Sequence, residues 1–222
     1  MALLEIEHLN YQYSTDSRIL FHDFNLHINS GDFVVITGSS GSGKTTLTKM
    51  ILGQITNYQG TITFQDRSIR SLSKHEIQTM RRQIACVFQD YKLVSYQSIQ
   101  DNITLPLRIQ NISPEHIKQS YDKVCEVLGC TRDPHQHINQ LSGGEKQKIA
   151  IARSLITQPR LFIADEPTGN LDAKNSRLIA DLIIKVHQQQ IPVVLITHDV
   201  MLTEYIAQST MIKHVRLGPF HG

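Results

Sequence analysis

The sequence has no apolar run approaching the ~20 residues that a membrane-spanning helix needs, so the chain is expected to stay out of the bilayer and to meet a membrane only through a partner. Its beginning, MALLEIEHLNYQY, places Glu5 and Glu7 where a secretion signal requires an unbroken apolar core, and no signal peptide is expected. Cysteine is scarce, with three residues in no disulfide-framework spacing, which fits a reducing compartment. Cys86 lies in the apolar stretch Ile84–Phe88, where a thiol fills space. Cys130, His135 and His137 match no common zinc spacing. An excess of one charge sign is missing too: the net charge is +2, and nothing global attracts nucleic acid or an acidic partner. Internal repeats are absent, and the short Gln188–Gln190 run reads as a solvated helix end.

What is present is enough for a sizeable core. The 222 residues, 40% hydrophobic and 19% charged, suit one globular unit or two closely joined subdomains. Near the front, apolar and polar residues alternate as in half-buried strands. Leu4 and Ile6 oppose Glu5 and Glu7; Phe24, Leu26 and Ile28 oppose Asn25 and His27; Ile62 and Phe64 oppose Thr61 and Thr63. Phe33–Thr37, Leu161–Ala164 and Val193–Thr197 are instead continuous apolar runs, suited to strands of a parallel sheet covered on both faces. Lys174–Gln190 predicts a helix with Leu178, Leu182, Ile183 and Val186 on its buried stripe. In the middle, Ser73 with Glu76 opens a helix running toward Arg82, and Ser142 with Glu145 opens another that carries Ile149, Ala152, Leu155 and Ile156. Ser113-Pro114 opens a helix with Ile117, Tyr121, Val124, Cys125 and Leu128 on one face, stopping at Gly129. The expectation is an α/β chain with a mainly parallel sheet, an antiparallel β part near the N-terminus, and a helical insertion over 91–158.

Gly38-Ser39-Ser40-Gly41-Ser42-Gly43-Lys44-Thr45 satisfies G-x-x-x-x-G-K-[ST], and Thr46 follows. Glycines let the backbone curl so that successive N–H groups point at phosphate oxygens, and the following helix adds its N-terminal partial charge. Lys44 is expected to reach the β- and γ-phosphates and Thr45 to ligate Mg²⁺. A buried-type strand before the loop and the apolar Leu47–Leu52 after it supply the context the motif requires. Asp165 and Glu166 close the run Leu161–Ala164. Asp165 is placed to hold Mg²⁺, directly or through water, and Glu166 to polarise an attacking water.

Leu141-Ser142-Gly143-Gly144-Glu145 resembles the signature motif of ABC-type ATPases and lies at that family's place in the order, before Asp165. Physically it is a helix start with free N–H groups and a hydroxyl, suited to an anion. The resemblance covers essentially the whole chain, and it implies a P-loop ATPase fold of the ABC type. The core would be 1–90 with 159–222, and the helical subdomain 91–158 would carry the signature. It further implies ATP and Mg²⁺ as ligands and hydrolysis to ADP and phosphate. Tyr13, or alternatively Tyr11, stands where an aromatic stacks on adenine. Gln89 is similar to the glutamine that touches Mg²⁺ and the attacking water, Gly169–Asp172 to the loop joining the two sites of a dimer, and His198 to the switch histidine at the γ-phosphate. In such ATPases the phosphate loop of one subunit faces the signature helix of another. Ser142, Gly143, Gly144, Glu145 and Asp172 would therefore act in trans within a head-to-tail homodimer.

The segment Asp165–Asp172 resembles the group containing FtsE, LolD and MacB. Arg81–Ile84, Val87–Asp90 and Asp101–Leu107 are nearest the FtsE type. Ser42, where many FtsE chains have Ala, and the tail Val215–Gly222 depart from it. The implied setting is the inner face of the cytoplasmic membrane, with an FtsX-like membrane subunit docked near Asp90–Ser98 through Tyr91, Leu93, Val94 and Tyr96, the alternative being that these apolar residues pack inside the helical subdomain. Division-machinery proteins would be further partners, nucleic acid would not, and the output would be control of cell-wall hydrolysis. The alternative is a LolD- or MacB-like energy subunit for lipoprotein release or export.

Overall fold

The computed structural model describes residues 2–13 and 19–218. The chain opens with β1 (Leu4–Gln12), β2 (Ile19–Ile28) and β3 (Phe33–Gly38), followed by α1 (Lys44–Ile51), β4 (Gln59–Phe64) and the short β5 (Arg67–Ser68). Four of these strands form an antiparallel sheet in the order β2–β1–β4–β5. Leu4 faces Ile28 on one side and Phe64 on the other, so the predicted apolar faces coincide. The buried positions of β1 switch parity, from Leu4 and Ile6 to Leu9 and Tyr11. His8, at a φ of 49°, lies where the register shifts, and the extra residue there keeps the apolar side chains inward.

The chain continues with α2 (Lys74–Arg82), β6 (Ile84–Phe88), α3 (Ile99–Ile109), α4 (Pro114–Leu128) and α5 (Gly143–Leu155). Then come β7 (Leu161–Asp165), α6 (Ala173–Gln188), β8 (Val193–Ile196), α7 (Val200–Ala207) and β9 (Lys213–Leu217). The sheet β6–β7–β8–β3–β9 is parallel throughout. Every residue of β7 and β8 is buried, because one face packs toward α5 and α6 and the other toward α1 and the antiparallel sheet. Of the tail noted in the sequence, Val215–Leu217 belongs to β9, whereas 219–222 lie outside the described residues.

β6 and β7 are hydrogen-bonded neighbours, yet α3, α4 and α5 stand between them in sequence and pack on one another. Both predicted capping boxes form, Ser73 with Glu76 and Ser142 with Glu145. α4 starts at Ser113-Pro114 and ends on left-handed Gly129. One expectation for α6 is overturned. Leu178 is 51% exposed, and the buried stripe runs through Ile179, Leu182, Ile183 and Val186. The sheet and α7 cover α6 from one side, so the inward face begins at Ile179 and leaves Leu178 at the rim.

Candidate active site

Four of the predicted site segments leave carboxyl ends of the parallel strands, where open α/β sheets bind ligands. The phosphate loop follows β3, Gln89 follows β6, Asp165 and Glu166 close β7, and Thr197-His198 follows β8. Phe88, Asp165 and Ile196 lie side by side across the sheet, which sets those three ends level. The phosphate loop, Gln89, Asp165, Glu166 and His198 line a cleft of about 740 Å³ together with Tyr13 and Leu20.

The loop is held open by its own backbone. The Ser42 N–H donates to the Ser39 carbonyl at 3.1 Å. Gly43 enters α1 at a φ of 96°, and a Cβ there would lie 2.9 Å from the Phe21 ring. Both facts require glycine. Among the described residues α1 is the single α-helix whose N-cap makes no side-chain hydrogen bond. Ser73, Ser98, Ser113, Ser142, Asp172 and Asp199 cap the others. The first turn of α1 also contains no acid. Its N–H groups and partial positive charge are therefore left to an anion in the cleft. The Lys44 ammonium donates to the Gly38 and Ser39 carbonyls at 2.8 and 3.0 Å, which fixes it at the loop's mouth. Ser42 behaves differently from its neighbours. It is buried beneath the loop with its hydroxyl unpartnered, and its side chain does not line the cleft.

Asp165 is buried, and its carboxyl is pushed above the usual aspartate range first by that burial and then by the charge of Glu166; a hydrogen bond from Thr45 and the charge of Lys44 act against both. A desolvated carboxylate facing a hydroxyl, with the Gln89 amide on the same cleft wall, is a hard-oxygen donor set. It fits a divalent cation such as Mg²⁺, whose charge would offset the cost of ionising Asp165.

Glu166 has a φ of 49°, a left-handed conformation uncommon for a residue with a Cβ. Its N–H donates to the Ile196 carbonyl at 2.8 Å, which anchors the turn to β8. Its carboxylate pairs with His198 Nδ1 at 2.8 Å and accepts from the Thr197 hydroxyl at 3.4 Å. Thr197 is fully buried, and its oxygen also accepts from the Asp199 N–H at 3.0 Å. A carboxylate oriented by a histidine and a threonine can accept a proton from a water in the cleft. Gln89 is bound in turn to the loop after β7: its amide donates to Asn170 Oδ1 at 3.2 Å, and Asn170 donates back to the Gln89 carbonyl at 3.3 Å.

Of the two tyrosines, Tyr13 lines the cleft and its hydroxyl lies 2.9 Å from that of Thr46. Tyr11 is buried behind it, with the rings edge to face at 5.2 Å. Leu20 and Thr197 were not expected at the site. Leu20 reads as an ordinary strand residue, and Thr197 as the end of an apolar run.

Ser142–Glu145 lie apart from the cleft: none of these residues lines it. Instead Gly144 abuts α6, where a Cβ would come within 2.6 Å of Asn175 Oδ1, and Asp172 caps α6 by accepting from the Asn175 N–H at 2.7 Å. The starts of α5 and α6 thus form a second polar cluster containing Ser142, Gly143, Gly144 and Asp172. The segment 90–98 is divided. Tyr91 and Leu93 are partly buried and pack against the core, as in the alternative of packing inside the helical subdomain, whereas Tyr96 is 78% exposed. The reason is in the backbone bonds: Arg153 of α5 donates to the Tyr91 and Lys92 carbonyls at 2.9 and 2.7 Å. Fully buried Asn102 holds Val94 through both its N–H and its carbonyl.

Comparison with known proteins matches residues 21–169 to the family model described as ABC transporter. The cell division ATP-binding protein FtsE of Mycobacterium tuberculosis is 32% identical over 206 residues, 93% of this chain and 90% of that one. The FtsE of Escherichia coli is 34% identical, covering 90% of each chain. Among solved structures, the ATP-binding cassette MJ0796, a post-hydrolysis dimer bound to ADP and Pi, superposes with a TM-score of 0.82 at 27% identity, covering 98% of this chain and 97% of that one. CbiO1 of Clostridium perfringens, part of the cbiONQ transporter complex, gives a TM-score of 0.84 at 28% identity over 92% of this chain and 82% of that one. The chain belongs to the ABC transporter family of ATPases, as an FtsE-like nucleotide-binding subunit.

Proposed function

We propose that two copies of the chain hydrolyse ATP at two shared sites, each made from the phosphate loop of one subunit and Ser142–Glu145 with Asp172 of the other. The observation that carries this reading is the separation of the uncapped start of α1, in the cleft, from Ser142–Glu145 at the capped start of α5, outside it. A head-to-tail pair brings them face to face, and the dimeric MJ0796 cassette supports that arrangement.

In this reading Gly38, Ser39, Ser40, Gly41, Gly43 and Thr46 wrap the phosphates with backbone N–H groups, and Ser42 supports the loop from below. Lys44 neutralises charge on the β- and γ-phosphates, and the Tyr13 ring lies against adenine. Thr45, Asp165 and Gln89 hold Mg²⁺, which supplies charge neutralisation on the phosphate oxygens. Glu166 polarises the attacking water, and His198 fixes that carboxylate while facing the γ-phosphate. The chemistry is positioning and charge stabilisation, with no covalent intermediate. Residues 1–90 and 159–222 form the catalytic core with its antiparallel β part, and 91–158 the helical subdomain that presents the signature.

The FtsE relatives, which are cell division ATP-binding proteins, support a role in cell division; in this reading the chain pairs with an FtsX-like membrane subunit at the inner face of the cytoplasmic membrane, and ATP-driven movement controls cell-wall hydrolysis. The partner docks on 90–98, with Tyr96 as its apolar contact and Asp90 and Lys92 as charged ones. The experiment is replacement of the gene in its host by a Glu166→Gln copy, with septation followed by microscopy. Filaments, with a membrane partner retained at division sites, are expected. Normal septation with lipoproteins held in the membrane would overturn the division role in favour of a LolD- or MacB-like one.

A further inference from the structure

Two of the three cysteines meet at the end of α4, away from the cleft. The helix closes on Gly129 in the left-handed conformation, φ 62°. The Cys130 N–H donates to the Cys125 carbonyl at 2.8 Å and the Gly129 N–H to that of Glu126 at 3.2 Å. This pair of bonds is the Schellman closure, in which the side chains three residues before and two after the helix end come into contact. In most helices that contact is apolar; here both members are thiols, and both pack against the same core cluster.

The backbone alone brings them within reach of a covalent bond. With a 2.8 Å hydrogen bond between the Cys130 nitrogen and the Cys125 oxygen, standard bond lengths hold the two α-carbons within roughly 6.7 Å. Disulfides span Cα separations up to about 6.8 Å. Closing the bond therefore asks for side-chain rotation and leaves the helix end in place. Both residues are partly exposed, so a small oxidant can reach them. The Lys148 ammonium of α5 donates at 2.5 Å to the carbonyl of Gly129, the residue that precedes Cys130. The Cys125 thiol is held below the usual cysteine range, first by its neighbour Cys130 and, among smaller effects, by Lys148, which favours its thiolate. Cys86, in β6, is the opposite case, with its thiol pushed far up by burial.

We propose that Cys125 and Cys130 form a thiol modification site that takes low-molecular-weight disulfides and closes to an intrachain disulfide. The Cys125 thiolate attacks one sulfur of the oxidant, forming a mixed disulfide and expelling one thiolate. Cys130, on losing its proton to solvent, attacks the Cys125 sulfur and expels the second thiolate. Two thiols are oxidised by two electrons, and one external disulfide is reduced to two thiols.

The test uses the intact chain in a series of glutathione redox buffers, followed by acid trapping, tryptic digestion and mass spectrometry. Both cysteines fall in one peptide, Val124–Arg132, flanked by Lys123 and Arg132. Loss of two hydrogens from that peptide reports closure, and Cys86 is the internal control. In native protein the equilibrium constant for closure is expected to be at least about tenfold above that in 8 M urea, because the helix end pre-positions the pair. Cys130→Ser should accumulate the glutathione adduct at Cys125, which the wild type resolves, and Cys125→Ser should form no adduct at Cys130. Equal closure in urea and buffer would overturn the proposal. So would three free thiols in the most oxidising native buffer, or adducts on Cys86 at the same rate.

Discussion

Mixing two inactive variants tests the shared site directly. Lys44→Ala removes the ammonium at the mouth of the phosphate loop. Ser142→Arg places a bulky cation at the start of α5, outside that loop's own cleft. If each site borrows its signature from the second subunit, either homodimer has two defective sites and should turn over at ~1% of wild type or less, as for loss of a charge-stabilising donor. In the heterodimer, one site combines both lesions and the other has an intact loop facing an intact Ser142. A freely exchanging one-to-one mixture holds roughly half its dimers as heterodimers, each with one good site in two, so turnover should recover to about a quarter of wild type. Phosphate release measured across mixing ratios should pass through a maximum near equal proportions. Loss of the Ser142 cap costs only ~1 kcal/mol, so circular dichroism should show both variants folded. A mixture shown by native mass spectrometry to contain the heterodimer, yet whose activity is the average of its parents, would refute the shared site.

Glu166→Gln keeps size and hydrogen-bonding while removing the base, so kcat should fall ~10²–10⁴-fold, with an ATP-bound dimer persisting on gel filtration; turnover within threefold of wild type would remove Glu166 from this role. Asp165→Asn should abolish turnover yet raise the melting temperature of the metal-free chain at pH 7. The sign follows from the raised carboxyl of Asp165: its protonated form is favoured by folding, so its contribution is present at low pH and lost as pH rises through the folded value. The stabilisation by Asn should therefore shrink toward pH ~4, and a melting temperature at or below wild type at pH 7 in EDTA contradicts the argument. Asn102→Ala deletes three hydrogen bonds, two to Val94 and one to the Ser98 carbonyl, and should cost about 2–3 kcal/mol in urea unfolding. The cut rate within 90–98 should rise in limited proteolysis, and an unchanged urea midpoint would show that the clamp carries no stability.

Local chemistry made much of this molecule legible. The strands β3, β7 and β8 are buried on both faces and show as apolar runs, and the two capping boxes and Gly129 fixed helix ends because each satisfies backbone groups nearby. What escaped depends on distant neighbours. β9, Lys213–Leu217, is a polar edge strand with little alternation, paired only to β3. α3 carries Pro106 within it, which argues against a helix when read alone. Leu178 belongs to the apolar period of α6, and only the packing of α6 decides which side of that stripe is covered. In the site, glycine spacing and paired acids stood out, whereas the inward turn of Ser42 comes from the curl of its own loop and the support of Glu166 by Thr197 from the register of β7 and β8. Tyr91 and Leu93 are apolar in a loop, and nothing local announces the Arg153 grip that turns them inward.

In the proposed dimer that grip would let α5 act as a lever arm. Arg153 fixes one end to the carbonyls just beyond Gln89, and Ser142 stands eleven residues away at the other end, a span of about 16 Å. A tilt of about ten degrees about the Arg153 end would swing Ser142 through roughly 3 Å, the length of a hydrogen bond. In the proposed head-to-tail dimer, a small displacement of the loop behind Gln89 would therefore be enough to make or break contact between Ser142 and the nucleotide of the opposite subunit.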